Sequence, residues 1–141
     1  KVGILIMMKI LICCLGGFSS SAMTKKVKNE IEEKELQDKI SVEFGPFASS
    51  YKIMNNYDVV MVCPHIKYEL PMFMKSHKDI DVPIYIFPPK MYGNMKAEDI
   101  YEDALDIIEG YKETKMNPWN FPGEENIMIV QRCSSYRKSR K

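Results

Sequence analysis

No arginine precedes Arg132 in this chain of 141 residues, and the other two arginines are Arg137 and Arg140. No residue before position 132 can therefore supply a guanidinium group, the fork-shaped donor that clamps oxyanions. A charge excess of one sign is lacking too, because 20 lysines and arginines balance 19 aspartates and glutamates. This balance removes the simplest argument for a nucleic-acid partner, and we expect none. Basic residues are nevertheless concentrated in residues 132–141, which carry five of them and no acidic residue.

The four cysteines show neither disulfide spacing nor metal-ligand spacing. Cys13 and Cys14 are adjacent, whereas Cys63 and Cys133 stand far from them and from each other. A disulfide framework would show more regular spacing, so we expect a reducing, cytoplasmic compartment. Adjacent cysteines cannot easily reach one tetrahedral ion, and only two histidines could complete the set. We therefore expect no metal and no other cofactor.

A long hydrophobic run is also absent. The apolar start of the chain is interrupted by Lys9, which leaves no stretch of the roughly 18 apolar residues that a membrane span requires. An export signal is disfavoured by the same lysine and by the bulky Ile12 before the cysteines. We expect residues 1–7 to be a leader or residues added during cloning.

Two hydrophobic periods alternate along the chain. The candidate strands are short apolar or alternating runs bounded by turn residues: "KILICC" (9–14), "KISVEFG" (39–45), "YDVVMVCP" (57–64) and "VPIYIF" (82–87). The candidate helices begin at Ser19, near residue 48, at Ile66 and at Ala97. This alternation predicts an α/β fold, with a four-stranded parallel sheet and helices on both faces.

Proline and glycine refine these boundaries. Pro71 is compatible with the third helix only if it falls in the first turn. We expect "PPKMYGN" (88–94) to be a loop, because it is rich in turn residues. Gly110 lies near the end of the last helix and is expected to mark its stop.

The segment "CCLGGFSSS" (13–21) follows the first predicted strand and opens the first predicted helix. Ligands of parallel sheets bind beyond the carboxyl ends of the strands. Backbone amides of this loop, with the helix N-terminus, would hold a doubly charged anion without a cationic side chain. The candidate phosphate-binding residues are Leu15, Gly16, Gly17, Phe18, Ser19, Ser20 and Ser21.

Cys14 is the candidate nucleophile, because it ends the strand beside this loop, where a helix N-terminus favours a thiolate. Cys13 points to the opposite face and is expected in the core, as is Cys63. A purely structural alternative remains, in which the glycines and serines only connect a strand to a helix. The combination of thiol, glycines and hydroxyls favours phosphate chemistry.

"MKILICCLGGFSSSAMTKKV" resembles the start of the IIB components of the bacterial sugar phosphotransferase system, of the lactose/cellobiose (chitobiose) type. That family has Cys-x-x-Gly-x-Ser-Thr-Ser after an Ile/Leu run, and here Cys14 begins the match with Ser20 in the threonine position. The resemblance continues through "YDVVMVCPHIKYEL" and "MYGNMKAEDI", with Cys63 and His65 as departures. It implies a flavodoxin-like domain over 8–112, similar in fold to low-molecular-weight tyrosine phosphatases, and a C-terminal extension over 113–141 with a basic end.

The resemblance also implies a phosphotransferase reaction. Cys14 would accept a phosphoryl group from a phosphohistidine of the IIA protein. The chain would then pass that group to a sugar bound by the membrane IIC component, with a β-diglycoside such as cellobiose or chitobiose favoured. A tyrosine phosphatase would need an arginine where this loop has Ser20. A non-catalytic flavodoxin-like binding module, in which Cys14 merely packs, is the other alternative.

Loops at the same sheet edge are expected to form a partner-docking rim around Cys14. Its members are Pro64, His65, Lys67, Tyr68, Lys90 and Tyr92. For the extension, "ENIMIVQ" (125–131) leaves three possibilities open: an added edge strand, a partner-binding segment, or a frayed end.

Overall fold

Four short segments of the chain form one parallel sheet. A computed structural model describes residues 7–14 and 20–140, the side chains of Ser20 and Ser21 excepted. The strands are β1 (Met8–Cys14), β2 (Ile40–Pro46), β3 (Val59–Val62) and β4 (Ile84–Ile86). Their order is β2-β1-β3-β4, and every neighbouring pair is parallel. The predicted four-stranded parallel sheet is therefore confirmed.

The helices alternate with these strands. The described α-helices are α1 (Ser20–Glu33), α2 (Leu70–Ser76), α3 (Pro89–Asn94), α4 (Ala97–Thr114) and α5 (Tyr136–Ser139). The described 3-10 helices are Ser50–Lys52, Met54–Asn56, Pro64–Tyr68 and Ile127–Ile129. No helix in these described ranges is long and apolar enough to cross a membrane.

The two faces of the sheet carry separate cores. On β1, Ile10, Ile12 and Cys14 face one hydrophobic cluster, which includes apolar residues of α1, α3 and α4. Leu11 and Cys13 face the other cluster, which includes residues of α2 and of the 3-10 helix Met54–Asn56. Successive residues of a strand point to opposite faces, and here both faces are buried. Helices on both faces are thus confirmed.

Register brings the strand ends together at one side of the sheet, which we call the carboxyl edge. Cys14 pairs with Pro46, and Cys13 pairs with Val62. The chain continues this pairing beyond the strands, since the Phe47 N–H donates to the Cys14 carbonyl at 3.1 Å. The last residue of the central strand β1 therefore lies beside the segments that follow its neighbours.

The segment over 64–77 departs slightly from one continuous helix. A 3-10 helix, Pro64–Tyr68, precedes α2, so Ile66 and Leu70 belong to separate helices. Both residues are nevertheless buried in the same cluster. Pro71 lies in the first turn of α2, as predicted. A proline there leaves no intrahelical donor unpaired, because the first N–H groups of a helix have no partner anyway.

The prediction of a loop over 88–94 is wrong, because residues Pro89–Asn94 form α3. Adjacent prolines indicated a turn, but Pro89 occupies the first helical position, where its fixed φ suits a helix. Met91 anchors the helix in the core with 1% of its surface exposed. Met95 then ends the helix in the left-handed conformation, with φ of 48°.

The sequence suggested that Gly110 ends the last helix, but it does not. Helix α4 continues to Thr114 and is capped by Lys115 in the left-handed conformation. Gly110 instead leaves room for Trp119, because a Cβ atom at this position would lie 2.2 Å from the Trp119 Cζ2 atom. The glycine allows a close approach of the chain that follows the helix.

The C-terminal segment, residues 116–140, packs on the edge strand β4 and on α4. The Trp119 N–H donates to the Ile84 carbonyl at 2.8 Å. The Asn117 side chain accepts from the Ile84 N–H and donates to the Val82 carbonyl. These bonds satisfy backbone groups that an open edge strand would otherwise expose.

The structure removes two of the three possibilities stated for "ENIMIVQ" (125–131). The segment "ENIMIVQ" contains the 3-10 helix Ile127–Ile129 rather than a strand. A frayed end is also wrong, because Trp119, Phe121 and Ile127 are buried. Partner binding by the segment remains a prediction.

Candidate functional site

Cys14 lies at the carboxyl edge of the central strand. Its side chain is 3% exposed and belongs to the core cluster on the α1 and α4 face. Helix α1 begins at Ser20, so the predicted phosphate loop spans the connection between this strand and this helix. That placement agrees with the general location of ligand sites in parallel sheets.

The hydroxyl group of Tyr92 donates a hydrogen bond to the Cys14 Sγ atom at 3.5 Å. Tyr92 lies in α3, 78 positions away in sequence. Burial of the phenol raises the pKa of Tyr92, and the hydrogen bond to Cys14 raises it further. Tyr92 therefore keeps its proton at neutral pH, and its hydroxyl remains available as a donor to the sulfur.

Cys13 has a different environment, although it is adjacent to Cys14. Its side chain is fully buried on the opposite face of the sheet, as predicted. Burial raises the pKa of Cys13 to about 12, and a hydrogen bond with Ser50 offsets only part of this effect. Cys13 is therefore a thiol at neutral pH and a poor nucleophile. Cys63 is also buried in this cluster, as predicted.

All four cysteines lie in the described part of the chain, and none forms a disulfide. Within the described residues, no group of three or more His, Cys, Asp or Glu side chains is arranged to hold a metal ion.

The predicted phosphate loop is largely outside the described residues. Leu15, Gly16, Gly17, Phe18 and Ser19 fall there. The backbone of Ser20 and Ser21 forms the first positions of α1. Their role in phosphate binding stays a prediction.

The predicted docking rim is only partly at the surface. His65, Tyr68 and Lys90 are exposed, and Tyr68 has 75% of its surface exposed. Lys67 is half-buried and donates to the Asn126 side chain at 3.2 Å.

Two members of the predicted rim face inward to different extents. Pro64 is buried, because it caps the core at the start of its 3-10 helix, and it offers no docking surface. Tyr92 is half-buried and makes the contact with Cys14 described above.

The arginines of the C-terminal segment are engaged away from Cys14. Arg132 makes ion pairs with Asp103 and Glu124. Arg137 pairs with Asp106 of α4. The guanidinium group of Arg140 lies over the ring of Tyr136, 5.5 Å from its centroid.

Sequence reasoning missed the buried cluster around Arg132. Asp103 is fully buried and accepts hydrogen bonds from Arg132 and from the Tyr136 N–H. One signal was available, since Asp103 adjoins Ala104 and lies four positions before Ile107 on the apolar face of α4. A carboxylate there needs a cation, and the chain supplies its only arginines later.

The model of one protein family, described as "PTS system, Lactose/Cellobiose specific IIB subunit", matches residues 9–103. The chain belongs to this family. The resemblance seen in the sequence is thereby confirmed. The match ends within α4 and leaves the C-terminal segment outside it.

Solved structures of the same class are similar to this chain. One is the solution structure of a cellobiose-specific phosphotransferase IIB component from Borrelia burgdorferi. It is 21% identical, with a TM-score of 0.57 and coverage of 73% of this chain and 93% of that one. Another is the lactose-specific IIB component domain from Streptococcus pneumoniae. It is 14% identical, with a TM-score of 0.48 and coverage of 79% of this chain and 100% of that one. A comparison with curated proteins gave no match.

Family membership gives the chain a general role as a phosphoryl-carrying component of a sugar phosphotransferase system. The Borrelia burgdorferi structure shares its fold. The identity of the phosphorylated residue, the partners and the sugar are matters for proposal.

Proposed function

We propose that the chain carries a phosphoryl group on Cys14, accepts it from a phosphohistidine of a IIA protein, and passes it to a sugar held by a membrane IIC component. The observation that carries the proposal is the placement of the Cys14 sulfur. Cys14 is the last residue of the central strand at the carboxyl edge and precedes the loop that opens α1. Its sulfur accepts a hydrogen bond from the Tyr92 hydroxyl.

The choice of Cys14 over its neighbour is supported by the contrast between their surroundings. Cys13 is enclosed on the other face, where burial raises its pKa to about 12. A phosphoryl donor approaching the carboxyl edge meets the end of β1, and Cys14 is the residue at that end.

Loading is an in-line displacement at phosphorus. The Cys14 sulfur attacks, a sulfur–phosphorus bond forms, and the phosphorus–nitrogen bond of the phosphohistidine breaks. The thiol proton passes to the departing imidazole nitrogen, so charge and atoms balance. The protein's contribution is to position the sulfur and stabilise the phosphoryl oxygens. We assign the second task to the backbone amides over 15–21 and to the hydroxyls of Ser19, Ser20 and Ser21.

Unloading reverses the role of the sulfur. A sugar hydroxyl oxygen attacks phosphorus, the sulfur–phosphorus bond breaks, and the hydroxyl proton ends on the released sulfur. Negative charge develops on Cys14 as the bond breaks, and the Tyr92 hydroxyl is placed to donate to it. A charge-assisted hydrogen bond of this kind is stronger than a neutral one. Tyr92 therefore supports the sulfur as a leaving group.

Phosphatase activity is the less favoured alternative. Such an enzyme needs an arginine on the phosphoryl group, and the buried Arg132 is already bound by two carboxylates. A carrier must keep its phosphoryl group until it meets the next partner. A site without an arginine on the phosphoryl group fits this requirement, because it lacks the group that a phosphatase uses to promote hydrolysis. The remaining alternative is a binding module with an inert Cys14.

The IIA and IIC proteins would dock on the exposed part of the rim, around His65, Tyr68 and Lys90. A β-diglycoside such as cellobiose or chitobiose is the proposed sugar, because the serine-rich loop resembles that branch of the family most.

Intact-mass spectrometry separates the three possibilities. A carrier gains one phosphoryl group from phosphorylated IIA protein and keeps it in buffer. It then loses the group only when membranes containing IIC and the sugar are both added. Rapid release of inorganic phosphate in buffer would indicate a phosphatase. No mass gain would indicate a binding module, and either of these results contradicts the proposal.

A further inference from the structure

Arg132 is the most highly connected side chain of the C-terminal segment, although it lies beyond the part of the chain that matches the family. Its side chain is only 6% exposed. It binds Glu124 in a bidentate manner, with distances of 2.7 Å from Nε and 2.9 Å from Nη2. Its Nη1 atom also donates to the Ser134 carbonyl at 2.9 Å. These bonds hold the C-terminal segment to itself.

The same guanidinium group connects the segment to the sheet and to the helices of the domain. Nη1 donates to Asp103 of α4 at 3.1 Å, and Nη2 donates to the hydroxyl of Tyr85 in β4 at 2.6 Å. Both partners are fully buried. A buried guanidinium group held from several sides has little freedom to move, so its position is well determined.

Arg132 also contacts α3, the helix that carries Tyr92. Nη1 lies 3.5 Å from the sulfur of Met91, the residue immediately before Tyr92. A second route runs through aromatic rings. The ring of Tyr85 contacts Phe87 with centroids 6.4 Å apart, and Phe87 contacts Tyr92 at 6.0 Å.

Helix α3 depends on such contacts for its position. It has six residues, which is too short to be stable by itself in water. Lys26 of α1 holds its C-terminal end by donating to the carbonyls of Asn94 and Met95. Arg132 contacts its middle through Met91. The placement of the Tyr92 hydroxyl against Cys14 is therefore set by packing from outside the helix.

We propose that Arg132 is a positioning residue for phosphoryl transfer: through Met91 and the Tyr85–Phe87 ring contact it holds α3 where Tyr92 donates to Cys14. This inference rests on the proposed carrier function of Cys14. It makes the C-terminal segment part of the transfer machinery. The hydrogen bond at 3.5 Å weakens steeply with small displacements, so a shift of α3 would be felt at the sulfur.

The first test reads the hydrogen bond itself and needs no phosphoryl transfer. The full chain is labelled with ¹³C at the Cζ atom of tyrosine, and the Tyr92 resonance is identified by its loss in Tyr92→Phe. Cys14→Ala is expected to shift this resonance in the wild-type background. In the Arg132→Lys background the same change is expected to shift it much less, because the contact is already lost. Equal shifts in both backgrounds would overturn the inference.

The second test is a double-mutant cycle on the rate of phosphoryl transfer from the phosphorylated chain to the sugar in membranes that contain IIC, the step in which Cys14 leaves. Tyr92→Phe and Arg132→Lys are each expected to slow transfer by roughly tenfold, the size of one hydrogen bond to a charged group. The double variant is expected to be no slower than Tyr92→Phe alone. Two effects that multiply would mean that Arg132 does not act through Tyr92, and would overturn the inference.

Matched variants keep both tests decisive. Arg137→Met removes an exposed ion pair of the same segment with Asp106 and leaves α3 untouched, so it is expected to change neither the resonance nor the rate.

If Arg132→Lys fails to fold, Glu124→Gln weakens the bidentate hold while leaving Asp103 its partner, and the same coupling with Tyr92 is expected. Absence of that coupling would overturn the inference. A wild-type chain that takes no phosphoryl group would contradict the proposed function alone, since the resonance test would still decide the role of Arg132.

Discussion

The indole ring of Trp119 occupies the space that any side chain at Gly110 would need. A Cβ atom on Gly110 would lie 2.2 Å from Cζ2 and 2.7 Å from Cε2 of this ring. Trp119 is itself buried and bonded to β4 through its backbone. The close approach therefore couples the C-terminal segment to both α4 and the sheet.

Gly110→Ala is expected to destabilise the protein by about 1–3 kcal/mol, because overpacking against a rigid buried ring outweighs the gain in helix propensity. Urea unfolding monitored by circular dichroism measures the difference. Gly93→Ala in α3 is the control, since nothing lies within 4 Å of its Cβ position. A Gly110→Ala variant as stable as Gly93→Ala would show that Trp119 is not held there.

The buried cluster predicts a pH dependence of stability. Asp103 and Glu124 share the single guanidinium group of Arg132, and burial raises the pKa of Asp103 from 3.8 to about 6. The folded state thus binds a proton more tightly than the unfolded state does. The stabilisation of the folded state by the protonated Asp103 is fully present below about pH 4. It falls as the pH rises from about 4 to 6 and is absent at higher pH.

Asp103→Asn removes this titration. Relative to the variant, the wild type is expected to lose roughly 2–3 kcal/mol of stability between pH 4 and pH 7. Chemical denaturation of both proteins at several pH values in this range gives the difference, which cancels the other titrating groups. A difference that does not change with pH would show that folding does not raise the pKa of Asp103.

Lysines near the carboxyl edge are expected to assist docking of an acidic partner surface. Lys90 is exposed at the start of α3, and Lys67 follows β3. The double variant Lys67→Glu, Lys90→Glu is expected to slow association with phosphorylated IIA protein several-fold at low salt and little at high salt. Stopped-flow kinetics at two ionic strengths provides the measurement.

Lys39→Glu serves as its control, because Lys39 is exposed just before β2, at the opposite edge of the sheet. It is expected to leave association unchanged. Equal association rates for the wild type and the double variant at low salt would show that docking relies on apolar contacts instead.

The sheet could be predicted from the sequence because its strands are short apolar runs, and "KILICC" and "YDVVMVCP" leave few other interpretations. The same alternation placed Cys14 and Tyr92 at one edge. It could not predict their hydrogen bond, which depends on α3. That helix was missed because two prolines usually indicate a loop, although Pro89 suits a first helical position.

The C-terminal segment escaped prediction for a different reason. Its residues follow neither helical nor strand period, and its order comes from single long-range contacts of Trp119 and Arg132. A run of basic residues at a chain end is usually a solvated tail. Only the buried Asp103 on α4 indicated that one of these arginines would be needed inside.

The most direct measurement of the carrier proposal locates the phosphoryl group within the chain. The wild type, Cys14→Ser and Cys13→Ser are incubated with phosphorylated IIA protein, digested, and analysed by peptide mass spectrometry under conditions that preserve phosphocysteine. We predict that the wild type and Cys13→Ser carry the group on Cys14, and that Cys14→Ser carries none while remaining folded. Phosphorylation that persists in Cys14→Ser, or that is found on Cys13 in the wild type, would contradict the account.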